Sequence, residues 1–220
     1  MVELFRSLFE PHGHVYQDPR YKKDTATYEW NLKVILDVSF SFLLPPISAA
    51  SEWITSKPSI TISYLAGLFD AEGSVGIYPA KLKTSLNVIF YNTNLELLRL
   101  VSRHLENMGL KPLRPYLDKK KGFRSPGYHI EMKKDYWRVM LCRFQECQQF
   151  LRVLPVRHQE KLSKKALALK LVPGQAWTES GPQVEALRTS IKSARDAFVD
   201  EAERLCLAKP STSLATTQTP

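Results

Sequence analysis

Apolar positions along this chain follow two rhythms, and the clearest lies between residues 59 and 92. From Ser59 to Gly73 the repeat is helical. Leu65, Leu68 and Phe69 share the side expected to pack into a core, while Ser63, Gly67 and Ala71 fall at i, i+4 and i+8. A stripe of such small residues lets a second backbone approach closely, so these three are the candidate contact between two copies of the helix. Ser59 or Thr61 can cap its start, and Gly73 is expected as its left-handed stop. The rhythm then changes to period two. Ser74–Tyr78 and Thr84–Tyr91 read as strands, with Leu86, Val88 and Phe90 inward and Ser85, Asn87 and Ile89 outward.

Further along, Leu97, Leu98, Val101 and Leu105 mark a helix over 94–108, closed by Gly109. A second hairpin is expected from Leu113–Leu117 and Tyr128–Lys133, bracketing the loop 118–127. Its alternation turns Ile130 and Met132 inward and Arg114, Tyr116, His129, Glu131 and Lys133 outward. Asp135 is expected to cap a helix to Leu154, and after Pro155 a basic helix runs to Leu171. The order is helix, two strands, helix, two strands, helix, helix, an α+β arrangement with antiparallel hairpins.

The expected division is an extension over 1–58, a core over 59–172, a linker and helix over 173–208, and a disordered tail over 209–220. Within the extension, 27–44 reads as either strand or helix, because Val34, Leu36, Val38, Phe40 and Phe42 alternate. The linker is expected over 173–182, and the helix over 184–207.

Charge narrows the function classes. The 220 residues carry a net +9, and all of the excess lies in one block. Residues 81–170 hold 20 Lys and Arg against 7 Asp and Glu, a net +13, whereas the other 130 residues are net −4. A contiguous basic block on a polar chain is the footprint of a nucleic-acid partner. No stretch approaches the ~20 apolar residues needed to span a bilayer. Three cysteines with neither zinc-site nor disulfide-framework spacing suit a reducing, intracellular setting, whether prokaryotic cytoplasm or organelle.

One chemical oddity stands out. Asp70 and Glu72 sit at the C-terminal end of the first core helix, where the helix dipole disfavours negative charge. Two paired helices would bring two copies of Glu72 near one axis, and a cation between them would relieve the repulsion. A carboxylate and free helix-end carbonyls are hard-oxygen ligands suited to Mg²⁺. By spacing alone, solvated acids at a fraying helix end fit equally well.

The residues Leu65-Ala66-Gly67-Leu68-Phe69-Asp70-Ala71-Glu72-Gly73 resemble the nine-residue signature of the LAGLIDADG homing endonucleases, with Phe for Ile and Glu for the second Asp. Ser74-Val75 follows, as is usual in that family. Asn92 to Leu98 resembles the turn into the family's second helix, and Leu154 to Lys161 the segment carrying its active-site lysine. The resemblance covers about residues 59–171.

The resemblance implies a double-strand DNA endonuclease with a β saddle backed by helices, encoded in an intron or intein. With one motif it would act as a homodimer on a nearly palindromic site. Glu72 and the carbonyl of Ala71 are the implied ligands of Mg²⁺ or another divalent cation such as Mn²⁺. Asp70 is assigned to helix-end hydrogen bonding, Lys161 to the scissile phosphate, and Tyr91 or Asn92 to a metal-bound water. On such a saddle Tyr78, Ser85, Asn87, Ile89, Arg114, Tyr116, His129, Glu131 and Lys133 would face bases. Lys81, Lys83, Lys119, Lys120, Lys121 and Arg124 would reach phosphates. His158 reads as a surface or capping residue. Some relatives are RNA maturases or non-cleaving DNA-binding proteins, and these are the alternative readings.

Overall fold

The computed structural model describes residues 2–22, 27–39, 54, 57–124 and 131–207. The tail over 209–220, together with His129, Ile130, Phe40 and Phe42, lies outside the described residues. An N-terminal helix, α1 (Val2–Phe9), leads through a short 3-10 turn into the antiparallel hairpin β1 (Val15–Lys22) and β2 (Thr27–Val34). The central unit then runs α2 (Pro58–Glu72), β3 (Gly73–Ala80), β4 (Lys83–Asn92), α3 (Leu95–Asn107), β5 (Leu113–Lys119), β6 (Tyr136–Leu141) and α4 (Phe144–Val153). This is the expected helix–strand–strand–helix–strand–strand–helix order. Two more helices follow, α5 (Gln159–Lys170) and α6 (Trp177–Leu207).

The strands of the central unit form one antiparallel sheet in the order β3-β4-β6-β5, so β4 and β6 are its inner pair. Val75, Ile77, Leu86, Val88, Phe90, Val139 and Leu141 point to one face and join a core with Leu65, Phe69, Leu98, Leu105, Phe150 and Leu151. Phe69, Phe90 and Phe150 meet edge to face, with ring centroids 5.4–6.4 Å apart. Cys147 fills this core as a small apolar residue, its thiol directed at the Leu141 carbonyl. Burial pushes that thiol up to about 12, which leaves it unreactive.

Several expectations change. The partner of β5 is 136–141, not 128–133. Trp137, Val139 and Leu141 alternate with Tyr136, Arg138 and Met140, and the β-prone aromatic and branched residues win over a continued helical repeat. The following helix therefore starts at Phe144, and Asp135 instead accepts a hydrogen bond from the Lys121 amide in the β5–β6 connection. Met132, expected inward, is half-buried in that connection and exchanges backbone hydrogen bonds with residues 122 and 123.

At the start of α2 neither Ser59 nor Thr61 caps. The N-cap is Lys57 with Pro58 in the first turn, and the Thr61 hydroxyl donates to the Ile54 carbonyl. Gly73 is not left-handed; its backbone is extended (φ −88°, ψ 162°) and β3 begins there without a turn. Glycine is needed for space, since a Cβ would lie 2.0–2.6 Å from the Phe69 ring.

The termini join the same body. Strand β2 ends at Val34, and Ile35 and Val38 beyond it are exposed. Helix α6 starts at Trp177, earlier than expected, and carries Pro182 near its beginning. Residues 175–177 pair with the β3–β4 turn, through Thr84 N–H to Gln175 O at 2.8 Å and Trp177 N–H to Leu82 O at 2.8 Å. Arg188 of α6 donates to the Ile77 carbonyl on the β3 edge. The β1–β2 hairpin rests on the far part of α6, where Trp30 meets Phe198 at 5.7 Å.

Replacing Gly73 with alanine should force Phe69 from its place against Phe90 and Phe150. The expected loss is about 1–3 kcal/mol, measured as a lower midpoint in urea unfolding.

Candidate functional site

The site forms where α2 ends. A helix terminus leaves carbonyls without intrahelical partners, and here a residue from a later helix takes two of them. Lys161 of α5 donates to Phe69 O at 2.6 Å and Asp70 O at 2.7 Å, with its ammonium 5.6 Å from the Phe69 ring centre. In return, the buried Asp70 carboxylate accepts from the backbone N–H of Arg157 at 2.9 Å and of His158 at 3.1 Å. These amides lie at the entry to α5, where an acceptor satisfies orphan donors and the positive helix end favours an anion. The two helix ends therefore hold each other through charge-assisted hydrogen bonds. Burial lowers the Lys161 pKa, opposed by the charges of Asp70, Glu160 and Glu72.

Glu72, two residues beyond Asp70, takes no part in this lock and is exposed. Ala71 is exposed beside it, as are Ser63 and Gly67 one and two turns back, so the small-residue stripe lines the outer face of α2. Leu4 and Leu8 of α1 face Ala66, Gly67 and Ala71 across a cavity of about 320 Å³ that Asp70, Pro155 and Arg157 also line. Among the described residues no cluster of three or more His, Cys, Asp or Glu could hold a metal. One chain thus offers the Glu72 carboxylate and the Ala71 carbonyl, hard-oxygen donors that fit part of a divalent-cation shell.

The polar residues proposed for a bound water differ in setting. Asn92 Oδ1 accepts from the Asn94 N–H at 2.8 Å and so shapes the turn into α3. Tyr91 stacks on Tyr136, with centroids 5.6 Å apart and planes 4° from parallel. Burial raises the Tyr136 pKa, and the charge of Glu72 adds to that shift.

The residues expected to read DNA divide between the sheet and its connections: Lys81 lies in the β3–β4 turn, and Lys120, Lys121, Arg124, Glu131 and Lys133 lie in the β5–β6 connection and not on a strand. Tyr78, Lys81, Lys83, Arg114, Lys120, Lys121, Arg124, Glu131 and Lys133 are exposed; Ser85, Tyr116 and Lys119 are half-buried. Arg124 and Glu131 pair at 3.2 Å, and Lys119 lies over the Phe123 ring. Asn87 and Ile89 are buried, at 9% and 7% exposure. Both sit on the inner strand β4, where neighbouring strands flank them, and the Asn87 amide leans into the space that a side chain at Gly76 would fill. The buried Asn87 Oδ1 has no hydrogen-bond partner among the described residues.

Sequence reading missed Arg138 and Asp118. Arg138 Nε lies 3.1 Å from Asp118 Oδ1, and its guanidinium covers the Tyr116 ring at 4.7 Å. The signal was the alternation in Tyr136–Leu141, which puts Arg138 on the outer face of a strand.

Residues 59–154 match a family model described as a LAGLIDADG-like domain. An archaeal intron-encoded homing endonuclease complexed with DNA, I-Vdi141I, is 16% identical, over 51% of this chain and 69% of that chain, with a TM-score of 0.33. The homing endonuclease I-CvuI, solved with its target in the presence of calcium, is 13% identical over 50% of this chain and 64% of that one, with a TM-score of 0.35. A second I-CvuI complex, with magnesium and uncleaved DNA, is 15% identical over 70% and 87%, with a TM-score of 0.34. No curated protein matches the sequence. No helix among the described residues is long and apolar enough to cross a membrane.

Removing the Asp70 carboxylate should unlock the two helix ends. Asp70→Ala is expected to cost about 1–3 kcal/mol through its orphaned amides, read from chemical denaturation. Acid should weaken the same region. Burial, helped by the charge of Lys161, lowers the His158 pKa below its ordinary 6.5. The unfolded chain then takes the proton first, so stability falls as pH drops from 6.5 toward the folded value. Unfolding midpoints measured from pH 7 to 5 should fall less steeply for His158→Gln.

Proposed function

Because residues 59–154 match a LAGLIDADG-like domain, we propose that the chain is a site-specific endonuclease of double-stranded DNA, divalent-metal-dependent and active as a homodimer. The observation that carries this reading is the division of labour at the end of α2. Asp70 and Lys161 fix the helix end, and that rigidity leaves Glu72 exposed beside the small-residue stripe of Ser63, Gly67 and Ala71.

Pairing two chains along that stripe brings both Glu72 carboxylates to one axis, facing the two strands of a duplex. A bound Mg²⁺ or Mn²⁺ would supply an acidified water and neutralise charge developing on the phosphate. Glu72 and the Ala71 carbonyl are the residues that would hold it. Asp70 keeps Glu72 at a fixed height over the β3–β4 sheet, since an error of 1 Å in such a site is costly. Lys161 holds the helix end and lends positive charge to the neighbourhood of the cleaved bond. The exposed lysines and arginines of the β3–β4 and β5–β6 hairpins provide the sequence-independent phosphate contacts.

Selection of cleaved sequences from a randomised duplex library in Mg²⁺ tests activity and symmetry together, and a nearly palindromic product is expected. Glu72→Gln should bind the selected duplex as the parent does and cleave it at least about 100-fold more slowly. Cleavage at the parental rate would remove Glu72 from the site.

A further inference from the structure

The strand register links Glu72 to a cation outside the motif. Gly73, the residue after Glu72, pairs with Phe90, and Tyr91 follows Phe90 on β4. Tyr91 pairs with Arg138, and Arg138 with Tyr116. A row therefore crosses the sheet through Tyr91, Arg138 and Tyr116, next to the Gly73–Phe90 pair at which the helix bearing Glu72 enters β3. With strands ~4.8 Å apart, Arg138 on β6 lies about 10 Å, two strand steps, from β3. Val139 on one side of Arg138 is buried in the core, so Arg138 projects from the opposite face, as does Tyr91 beside buried Phe90.

The surroundings hold this guanidinium without enclosing it. Tyr116 lies under it, Tyr91 neighbours it across the β4–β6 pair, and Asp118 Oδ1 lies 3.1 Å from Nε, a buried nitrogen that makes no hydrogen bond among the described residues. Tyr91 is braced in turn by its stack on Tyr136. The Arg138 side chain keeps 29% of its exposure, against 16% for Asp118. A guanidinium carries five donors in a planar fork, more than one carboxylate uses, and that fork matches a phosphate as well as a carboxylate. The lysine of α5 is meanwhile committed to two helix carbonyls.

We infer that Arg138 is the phosphate-contacting cation of this site, gripping the DNA backbone beside the bond that Glu72 addresses, with Asp118 as its internal counter-ion until DNA arrives. The inference rests on the DNA-endonuclease reading above. It adds the residue that holds the substrate backbone in register with Glu72. Asp118 offsets the guanidinium charge, and a phosphate that binds must compete with it. Tyr91 is a positioning residue, between Glu72 and Arg138.

The test uses the full chain and a duplex enriched from a randomised library by binding in Ca²⁺, so that it needs no cleavage. Arg138→Gln should weaken binding about 10-fold at 0.15 M KCl and lower the slope of log K against log salt by about one, with the base preference unchanged. Arg138→Lys should keep the slope. Asp118→Asn should tighten binding several-fold, because the phosphate loses its competitor. In Mg²⁺, Arg138→Gln should slow cleavage about 100-fold.

A purely structural ion pair predicts the reverse sign for Asp118→Asn, and weaker binding there overturns the inference even if Arg138→Gln fails to fold. An unchanged salt slope in Arg138→Gln overturns it, as does relaxed preference at a single base pair, the mark of base reading. A parent chain that binds but never cleaves removes the endonuclease reading alone, and the slope still decides Arg138. If no duplex is enriched, both readings fall.

Discussion

The site depends on an exchange between two helix ends. Asp70 at the C-terminal end of α2 gives its carboxylate to amides at the start of α5, and Lys161 of α5 gives its ammonium to carbonyls at the end of α2. Each group sits where its charge opposes the partial charge of the opposite helix terminus. An acid near a helix C-terminus is costly when unpartnered, and this arrangement removes the cost by making Asp70 the cap of another helix. Glu72 has no such partner among the described residues. The two carboxylates therefore differ by environment and not by chemistry: one is buried and hydrogen-bonded, the other is exposed at the edge of the sheet.

The central unit was legible because its elements repeat over many residues. The nine-residue motif, the apolar stripe of α3 and the inward set of β4 all correspond to the folded chain. Alternation alone could not reveal that β4 is an inner strand. Asn87 and Ile89 face away from the core, yet on this inner strand they are buried, though less completely than Leu86. The segment 136–141 was misread for a local reason: six residues are too few to separate a buried strand from the start of the helix that follows. Arg138 and Asp118 were hidden by the same misreading.

The lock itself was half legible. Asp70 could be assigned to helix-end bonding from its motif, but its acceptance of amides 87 and 88 positions away belongs to tertiary structure. Lys161 was expected at a phosphate and is found on carbonyls, because burial in the α2–α5 junction makes those acceptors its nearest partners. In the N-terminal region, 27–34 is a strand only in company with 15–22 and α6, and such dependence on distant partners leaves a weak local pattern.

The long reach of the lock bears on synthesis. Asp70 and its amide partners are separated by nearly half the chain, and domains assemble as their segments leave the ribosome. The motif helix and the β3–β4 hairpin are made early and can pair early, while their C-terminal anchor emerges only after Lys161. Until then Asp70 has no amides to hold and the end of α2 is not fixed. A partly synthesised chain thus carries the acidic residues of the motif without the rigidity of the folded junction, and interrupted synthesis yields a fragment in which the two helix ends are not joined.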